Sequence, residues 1–316
     1  MKDIARLIRL QNLLMTIFII FLMEKMVATP ILDKALYGEQ LPAWLLFLLV
    51  LAIVFIQAGG YVINDYFDVK IDNINRPDKL IVTRSVSKPT AMLLHQVLTA
   101  LGVVSGLIVA LVLRSWSLAI IYIFVPGLMW FYSSSYKRQF ITGNLIVSVC
   151  AALVPLTVAI ANVAQLRLNF AQILPYTNLT HDMYAWIGGF SIFAFLTTWI
   201  REVEKDLQDQ TGDREMECHT MPIKIGDTWT KVFVTLLILT TCGIALLLDL
   251  RVLPFGHGWS SISSRYILFA VIIPFACDIW LLWRSRITSD YRHAQLLTKF
   301  IMLTGVCYAF VIAYLM

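Results

Sequence analysis

The amino-acid sequence predicts an all-α, polytopic membrane protein with nine transmembrane helices. Of its 316 residues, 59% are hydrophobic and 14% are charged, and the mean hydropathy is +0.76. A soluble chain of this length has too little interior to bury so much apolar surface. Apolar runs of membrane-spanning length recur along the whole chain, and basic residues collect in alternate connecting segments. These three observations together predict the fold class.

Each apolar run has the length that crosses a bilayer, about 17–25 residues. We place the nine runs near residues 12–30, 41–63, 90–113, 116–132, 142–163, 183–200, 229–249, 264–284 and 293–316. Backbone polar groups in lipid must be satisfied within a segment, and these runs are too long for barrel strands, so all nine are predicted to be helices. The basic N-terminal stretch resembles a signal peptide, but no small-residue cleavage site follows it, so the first run is predicted to be a retained span.

The basic residues predict the orientation in the membrane. The N-terminal tail and the segments after spans two, four, six and eight lie on one side and hold 17 lysines and arginines, whereas the other side holds five. Because cytoplasmic segments carry the excess of positive charge, the N-terminus is predicted to be cytoplasmic. We therefore expect an integral protein of the cell membrane whose active site lies on the cytoplasmic side.

The chain shows neither a low-complexity linker nor a soluble domain, so residues 1–316 are predicted to form a single transmembrane domain. Its five cysteines contain no CxxC pair, and four of them lie in apolar runs. A disulfide framework or a zinc site is therefore not expected.

Two acidic triplets lie at the cytoplasmic ends of spans two and six. The first, in "NDYFDVKID", consists of Asp65, Asp68 and Asp72, and the second, in "KDLQDQTGD", consists of Asp206, Asp209 and Asp213. Both have the spacing i, i+3, i+7, which places three side chains on one narrow face of a helix. Carboxylates so close repel one another unless a cation lies between them. Few hard oxygen ligands, with room left for water and phosphate, favour Mg²⁺.

Cationic side chains surround both acidic triplets. An anion that Mg²⁺ bridges and that Lys or Arg holds is the arrangement expected for a diphosphate. We therefore predict a substrate-binding role for several basic residues, namely Lys70, Arg76, Lys137, Arg138, Arg201 and Lys205. Lys137 stands out within "FYSSSYKRQFITGN" as the candidate that stabilises the leaving group.

These motifs resemble those of the UbiA superfamily of intramembrane prenyltransferases. "GGYVINDYFDVKIDNINRP" resembles the first signature of that family, "KDLQDQTGD" its second, and "YSSSYKR…GN" the Tyr/Lys element between them. The N-terminal "RLIRLQNLLM" is similar to the family's opening, with Gln11 where a proline is common, and it places Asn12 among the candidate substrate-binding residues. The nine-span pattern extends the resemblance over nearly the whole chain.

The resemblance implies a helical bundle around a central cavity, with a cytoplasmic cap formed by residues of about 64–89 and 201–228. It implies two Mg²⁺ ions that hold the diphosphate of an isoprenyl donor. By position, the metal ligands are then Asp65, Asp68, Asp72, Asp206, Asp209 and Asp213. Asn64 and Lys137 bind the diphosphate, and Asp68, Asp209 and Lys137 are the catalytic residues. Tyr132 is among the aromatic residues expected beside the carbocation-like carbon of the donor.

The acceptor is predicted from the same motifs, which are most similar to the branch of the family that prenylates geranylgeranylglyceryl phosphate. That branch implies a geranylgeranyl donor and an ether-lipid product. "DKLIVTRSVS" departs from the arginine- and proline-rich stretch common in that branch, so recognition of the acceptor there is open. Prenylation of an aromatic ring, as in quinone biosynthesis, is the second hypothesis.

A divalent-metal transporter is a more distant alternative, but transporters bury acidic residues near mid-span. A lipid-binding scaffold would need the basic residues and not the six ordered carboxylates. The expected partners are an isoprenyl diphosphate, a lipophilic acceptor and membrane lipid, with no nucleic acid.

Overall fold

A computed structural model describes residues 2–35, 38, 40–75, 77, 80–249 and 261–316. Within these ranges the chain is helical, without a β-strand, and nine helical segments are long and apolar enough to cross a membrane. The predicted fold class and the number of spans are therefore confirmed. Arg76, for which we predicted a substrate-binding role, lies outside the described residues.

The helices follow one another along the chain with short connections. In chain order they are α1 (Lys2–Leu7), α2 (Leu10–Leu22), a π-helical stretch (Met23–Ala28), α3 (Thr29–Lys34), α4 (Ala43–Asn75), α5 (Lys88–Val112), α6 (Trp116–Ser134), α7 (Thr142–Phe170), α8 (Leu179–Glu215), α9 (Met221–Leu247), α10 (Ile262–Ile267), a second π-helical stretch (Leu268–Ile272), α11 (Ile273–Arg284) and α12 (Tyr291–Leu315). Short 3₁₀ turns cover Tyr136–Arg138, Leu174–Tyr176 and Thr288–Asp290.

Two helices are much longer than the apolar runs that predict them. Helix α4 has 33 residues and α8 has 37, which correspond to lengths of about 50 and 55 Å at 1.5 Å per residue. The hydrocarbon core is only about 30 Å thick. The polar ends of both helices therefore continue beyond it as helix, and residues 64–75 and 201–215, which we assigned to cap loops, are helical.

The described chain packs as two compact units. One comprises Met1–Lys137 and Leu153–Gly189, and the other comprises Arg138–Ala152 and Phe190–Met316. That the whole chain is a single domain stays a prediction, as does the cap.

Small residues allow α4, α5 and α6 to approach closely within the first unit. A Cβ on Gly102 would lie 2.8 Å from the backbone nitrogen of Ile56, and one on Gly106 would lie 2.3 Å from the ring of Tyr122. Such close backbone approach is how membrane helices gain van der Waals contact when lipid offers no hydrophobic driving force between them. A buried cluster of Leu7, Val62, Val82 and Ala91 then joins α1 and α5 to the polar end of α4.

The second unit has its own apolar core, built around α8. Ile200, Val203 and Leu207 on α8 are buried against residues of α9, α11 and α12. One polar connection crosses this core, because the Thr298 hydroxyl lies 2.9 Å from Glu204 Oε2 and 3.1 Å from Asp278 Oδ2. All three side chains are buried. These contacts fix the rotation of α8 at the position where its acidic face begins.

Candidate active site

The first aspartate row occupies the last turns of α4, as its spacing predicts. Asp65, Asp68 and Asp72 lie on one face of the helix, and Asp68 is buried while the other two are half-buried. The apolar part of α4 packs against α5 and α6, so the row continues from a helix that is held firmly along its length. The row is therefore a preorganised set of hard oxygen donors.

Asp68 lies at the centre of a small polar cluster in the first unit. Its Oδ2 accepts a hydrogen bond of 2.8 Å from Asn64 Nδ2, and its Oδ1 is ion-paired with Lys137 Nζ. Lys137 reaches this position from the 3₁₀ turn that follows α6. The structure thus brings together three predicted site residues that lie up to 73 positions apart in the chain. A carboxylate beside an ammonium group suits a metal-bridged anion, because the carboxylate can bind the metal ion and the lysine can bind the anion.

Asp65 has a partner that the sequence did not predict. A guanidinium nitrogen of Arg9 lies 2.9 Å from Asp65 Oδ1, and the guanidinium carbon lies 4.8 Å from the centre of the Tyr61 ring. Partial burial lowers the pKa of Arg9, but the charge of Asp65 and its hydrogen bond raise it, and the net shift is upward. Arg9 therefore keeps its charge. From the sequence, Arg9 was used only as one of the basic residues that predict the orientation in the membrane.

The other predicted residues of this region have different surroundings. Asn12 on α2 donates a hydrogen bond of 3.2 Å to the Tyr61 hydroxyl. Tyr132 on α6 is half-buried. It lies close enough to Arg9 to contribute to the raised pKa of the guanidinium. Lys70 is exposed and lies on the face of α4 opposite the aspartate row, since five residues from Asp65 is about 500° of helical rotation. The structure does not bring Lys70 to the row.

The second aspartate row lies on α8 in the second unit. Asp206 Oδ2 accepts a hydrogen bond of 2.8 Å from Asn144 Nδ2 on α7. Asp213 Oδ2 accepts one of 3.0 Å from the hydroxyl of Thr220, the residue that precedes α9. Asp209, midway between them, is half-buried. These side-chain donors orient individual carboxylates, as partners of metal ligands commonly do.

Two of the predicted basic residues in the second unit share one acidic neighbour. Arg201 is ion-paired with Glu202, and Lys205 Nζ lies 3.8 Å from the other oxygen of that carboxylate. Glu202 is buried, and we had given it no role. The predicted residue Arg138 is half-buried, and its carbonyl oxygen accepts a hydrogen bond of 2.7 Å from the His219 backbone.

Both rows consist of carboxylates, which are hard oxygen ligands that suit magnesium. Among the described residues, no three His, Cys, Asp or Glu side chains are gathered closely enough to form a complete protein cage. Mg²⁺ ordinarily binds one or two carboxylates and completes its coordination with water and substrate phosphate. Asp68 already attracts a cation, Lys137, which is the behaviour expected of a cation-binding carboxylate. The residues therefore fit a divalent ion that arrives with a phosphorylated substrate.

The chain matches a known family over most of its length. Residues 33–313 match the model of the UbiA prenyltransferase family. The digeranylgeranylglyceryl phosphate synthase of Methanobrevibacter smithii is 28% identical over 248 residues, which is 78% of each chain. The enzyme of that name from Methanosphaera stadtmanae is 30% identical over 196 residues, 62% of this chain and 63% of the other.

Solved structures show the same fold. A structure of digeranylgeranylglyceryl phosphate synthase in membranes has a TM-score of 0.65 and 22% identity, and the alignment covers 99% of this chain and 98% of the other. A UbiA homologue from Archaeoglobus fulgidus bound to GPP and Mg²⁺ has a TM-score of 0.57 and 13% identity, with 98% and 99% of the two chains covered.

Proposed function

The chain belongs to the UbiA prenyltransferase family, and we propose that it transfers a geranylgeranyl group from its diphosphate to geranylgeranylglyceryl phosphate. The observation that carries this proposal is the Asn64–Asp68–Lys137 cluster at the end of α4. It supplies a carboxylate for a metal ion and a cation for phosphate in one place. Relatives that bear the name of the ether-lipid synthase support the choice of acceptor.

The two aspartate rows bind the donor diphosphate through metal ions. We assign Asp65, Asp68 and Asp72 to one Mg²⁺ ion and Asp206, Asp209 and Asp213 to a second. Magnesium, when bound, neutralises the diphosphate and makes it a better leaving group. Lys137 stabilises the negative charge that develops as the bond between C1 and oxygen weakens. Its contact with Asp68, which Asn64 also contacts, supports this role.

The transfer exchanges one carbon–oxygen bond for another. The bond between C1 of the donor and the diphosphate oxygen breaks, and the diphosphate leaves with the electron pair. The acceptor hydroxyl oxygen bonds to C1, and its proton passes to an aspartate carboxylate. Apolar helices around the reacting carbon exclude water, which would otherwise compete as the nucleophile.

The location in the cell follows from the distribution of charge. The N-terminus and both aspartate rows lie on the cytoplasmic side, because the segments on that side carry most lysines and arginines. The donor and the acceptor then enter from the membrane with their polar heads at the cytoplasmic face. The cytoplasmic segments of about residues 64–89 and 201–228 remain the proposed cap.

Product mass tests the function directly. Protein purified in detergent is incubated with Mg²⁺, labelled geranylgeranyl diphosphate and a panel of acceptors that includes geranylgeranylglyceryl phosphate and aromatic acids. We expect a product of the mass of the diprenylated ether lipid, absent when EDTA replaces Mg²⁺. A prenylated aromatic product with no ether lipid would establish the second hypothesis instead.

A further inference from the structure

A chain of polar side chains runs into the apolar part of the first unit from Asp65. Gln57 Nε2 donates a hydrogen bond of 2.8 Å to the Tyr61 hydroxyl, and Asn12 Nδ2 donates one of 3.2 Å to the same oxygen. The Thr16 hydroxyl lies 2.7 Å from Gln57 Oε1. Polar side chains within membrane helices are costly and mark functional positions. Neither aspartate row requires this network.

The hydrogen bonds of this network converge on the hydroxyl of Tyr61. The side-chain amides of Asn12 and Gln57 both contact the Tyr61 oxygen, and the Thr16 hydroxyl contacts both the Gln57 amide and the Asn12 carbonyl oxygen. The two amides therefore hold the half-buried phenol of Tyr61 in one position.

Arg9 brings positive charge to the same place. Its guanidinium lies over the Tyr61 ring and contacts Asp65 through one nitrogen, whereas a guanidinium has five N–H donors. The backbone of Arg9, with φ 51° and ψ 56°, is in the left-handed region between α1 and α2. A residue other than glycine is strained there and persists only when surrounding contacts hold it.

We propose that Arg9 and Tyr61 form an anion site that binds the phosphate of the acceptor, with Asn12 and Gln57 positioning Tyr61. This inference rests on the proposed function. Tyr61 precedes Asp65 by one helical turn, about 6 Å, so the acceptor phosphate lies next to the place where the donor reacts. The free hydroxyl of a glycerol phosphate is only a few bonds from its phosphate, as this arrangement requires. The cluster around Lys137 remains for the donor diphosphate.

The test compares geranylgeranylglyceryl phosphate with geranylgeranylglycerol, the same lipid without phosphate. Tyr61→Phe removes only the hydroxyl, and it should raise the KM of the phosphorylated acceptor about tenfold, the usual value of a hydrogen bond to a charged group. The KM of the donor should change less than twofold. The preference for the phosphorylated acceptor should shrink by the same factor of about ten.

Tyr122→Phe is the matched control, because the Tyr122 hydroxyl is buried in the same unit and no described residue forms a hydrogen bond with it. A second variant, Arg9→Lys, keeps the charge and loses the forked donor geometry, so it should also weaken the phosphorylated acceptor selectively. Isothermal titration calorimetry without donor, in EDTA, measures the affinity of the protein for the phosphorylated acceptor. This affinity does not depend on turnover.

The outcomes separate this inference from the proposed function. If the wild-type protein makes no ether lipid, the proposed function is wrong. If it does so and Tyr61→Phe leaves the acceptor KM and the phosphate preference unchanged, the anion site is wrong. An equal loss for both acceptors in a well-folded Tyr61→Phe protein also overturns the site, because it indicates packing and not recognition of phosphate.

Discussion

The ion pair between Lys137 and Asp68 gives the sharpest prediction about stability. Both side chains are only 12% exposed. Lys137→Met therefore leaves Asp68 with a charge that, within the described part of the chain, only Asn64 stabilises. Removing one partner of a fully buried pair costs about 3–5 kcal/mol, and the remaining exposure reduces this to roughly 2–4 kcal/mol in metal-free protein. In the Asp68→Asn/Lys137→Met double variant neither charge remains, so most of the lost stability should be recovered.

Thermal unfolding in detergent with EDTA, followed by near-ultraviolet circular dichroism, measures this effect. Lys137→Met should lower the midpoint by several degrees, and the double variant should unfold close to the wild type. Lys224→Met is the control, because Lys224 is exposed and should change stability by less than about 0.5 kcal/mol. If the effects of the two single substitutions simply add in the double variant, the ion pair does not hold this end of α4 together.

Three further predictions concern packing and the second row. Gly106→Ala should destabilise the protein by about 1–3 kcal/mol, because a Cβ there meets the Tyr122 ring at 2.3 Å, while Gly127→Ala, with nothing within 4 Å among the described residues, should have little effect on the unfolding midpoint. Asn144→Ala removes the hydrogen bond to Asp206 and should raise the Mg²⁺ concentration for half-maximal activity about 10–100-fold; an unchanged Mg²⁺ dependence would contradict the orienting role. Thr220→Val removes one hydrogen bond to Asp213 and should also raise the Mg²⁺ concentration for half-maximal activity. A Mg²⁺ titration checks this, with Thr240→Val at an exposed site on α9 as the control.

The sequence predicted the features that repeat and missed those that depend on single long-range contacts. Hydropathy located all nine spans, yet it placed the ends near residues 63 and 200, because it reports contact with lipid and not backbone conformation. Helices α4 and α8 continue for more than ten residues beyond those points. The i, i+3, i+7 spacing nonetheless predicted correctly that each aspartate row shares one helical face.

The partners of the aspartates show the limit of pattern analysis. Lys137 was predicted because a motif marks it, and the structure places it on Asp68. Arg9 was missed because it lies 56 residues from Asp65. Arg9 itself has a left-handed backbone conformation between two helices, which no spacing rule predicts. Lys70 was predicted from proximity in sequence, but helical rotation turns it to the opposite face. Asn144 stood within the quoted "GN" of the Tyr/Lys element, so its signal was present and unused.

The most direct measurement of the central claim is the stoichiometry of diphosphate release. Purified protein, labelled geranylgeranyl diphosphate and geranylgeranylglyceryl phosphate are mixed, and diphosphate and ether lipid are quantified together over time. The proposed chemistry predicts equal amounts of the two products with Mg²⁺, and none with EDTA or in the Asp68→Ala and Asp209→Ala proteins. Ether lipid that still forms at a near-normal rate in EDTA, or in both aspartate variants, would contradict it.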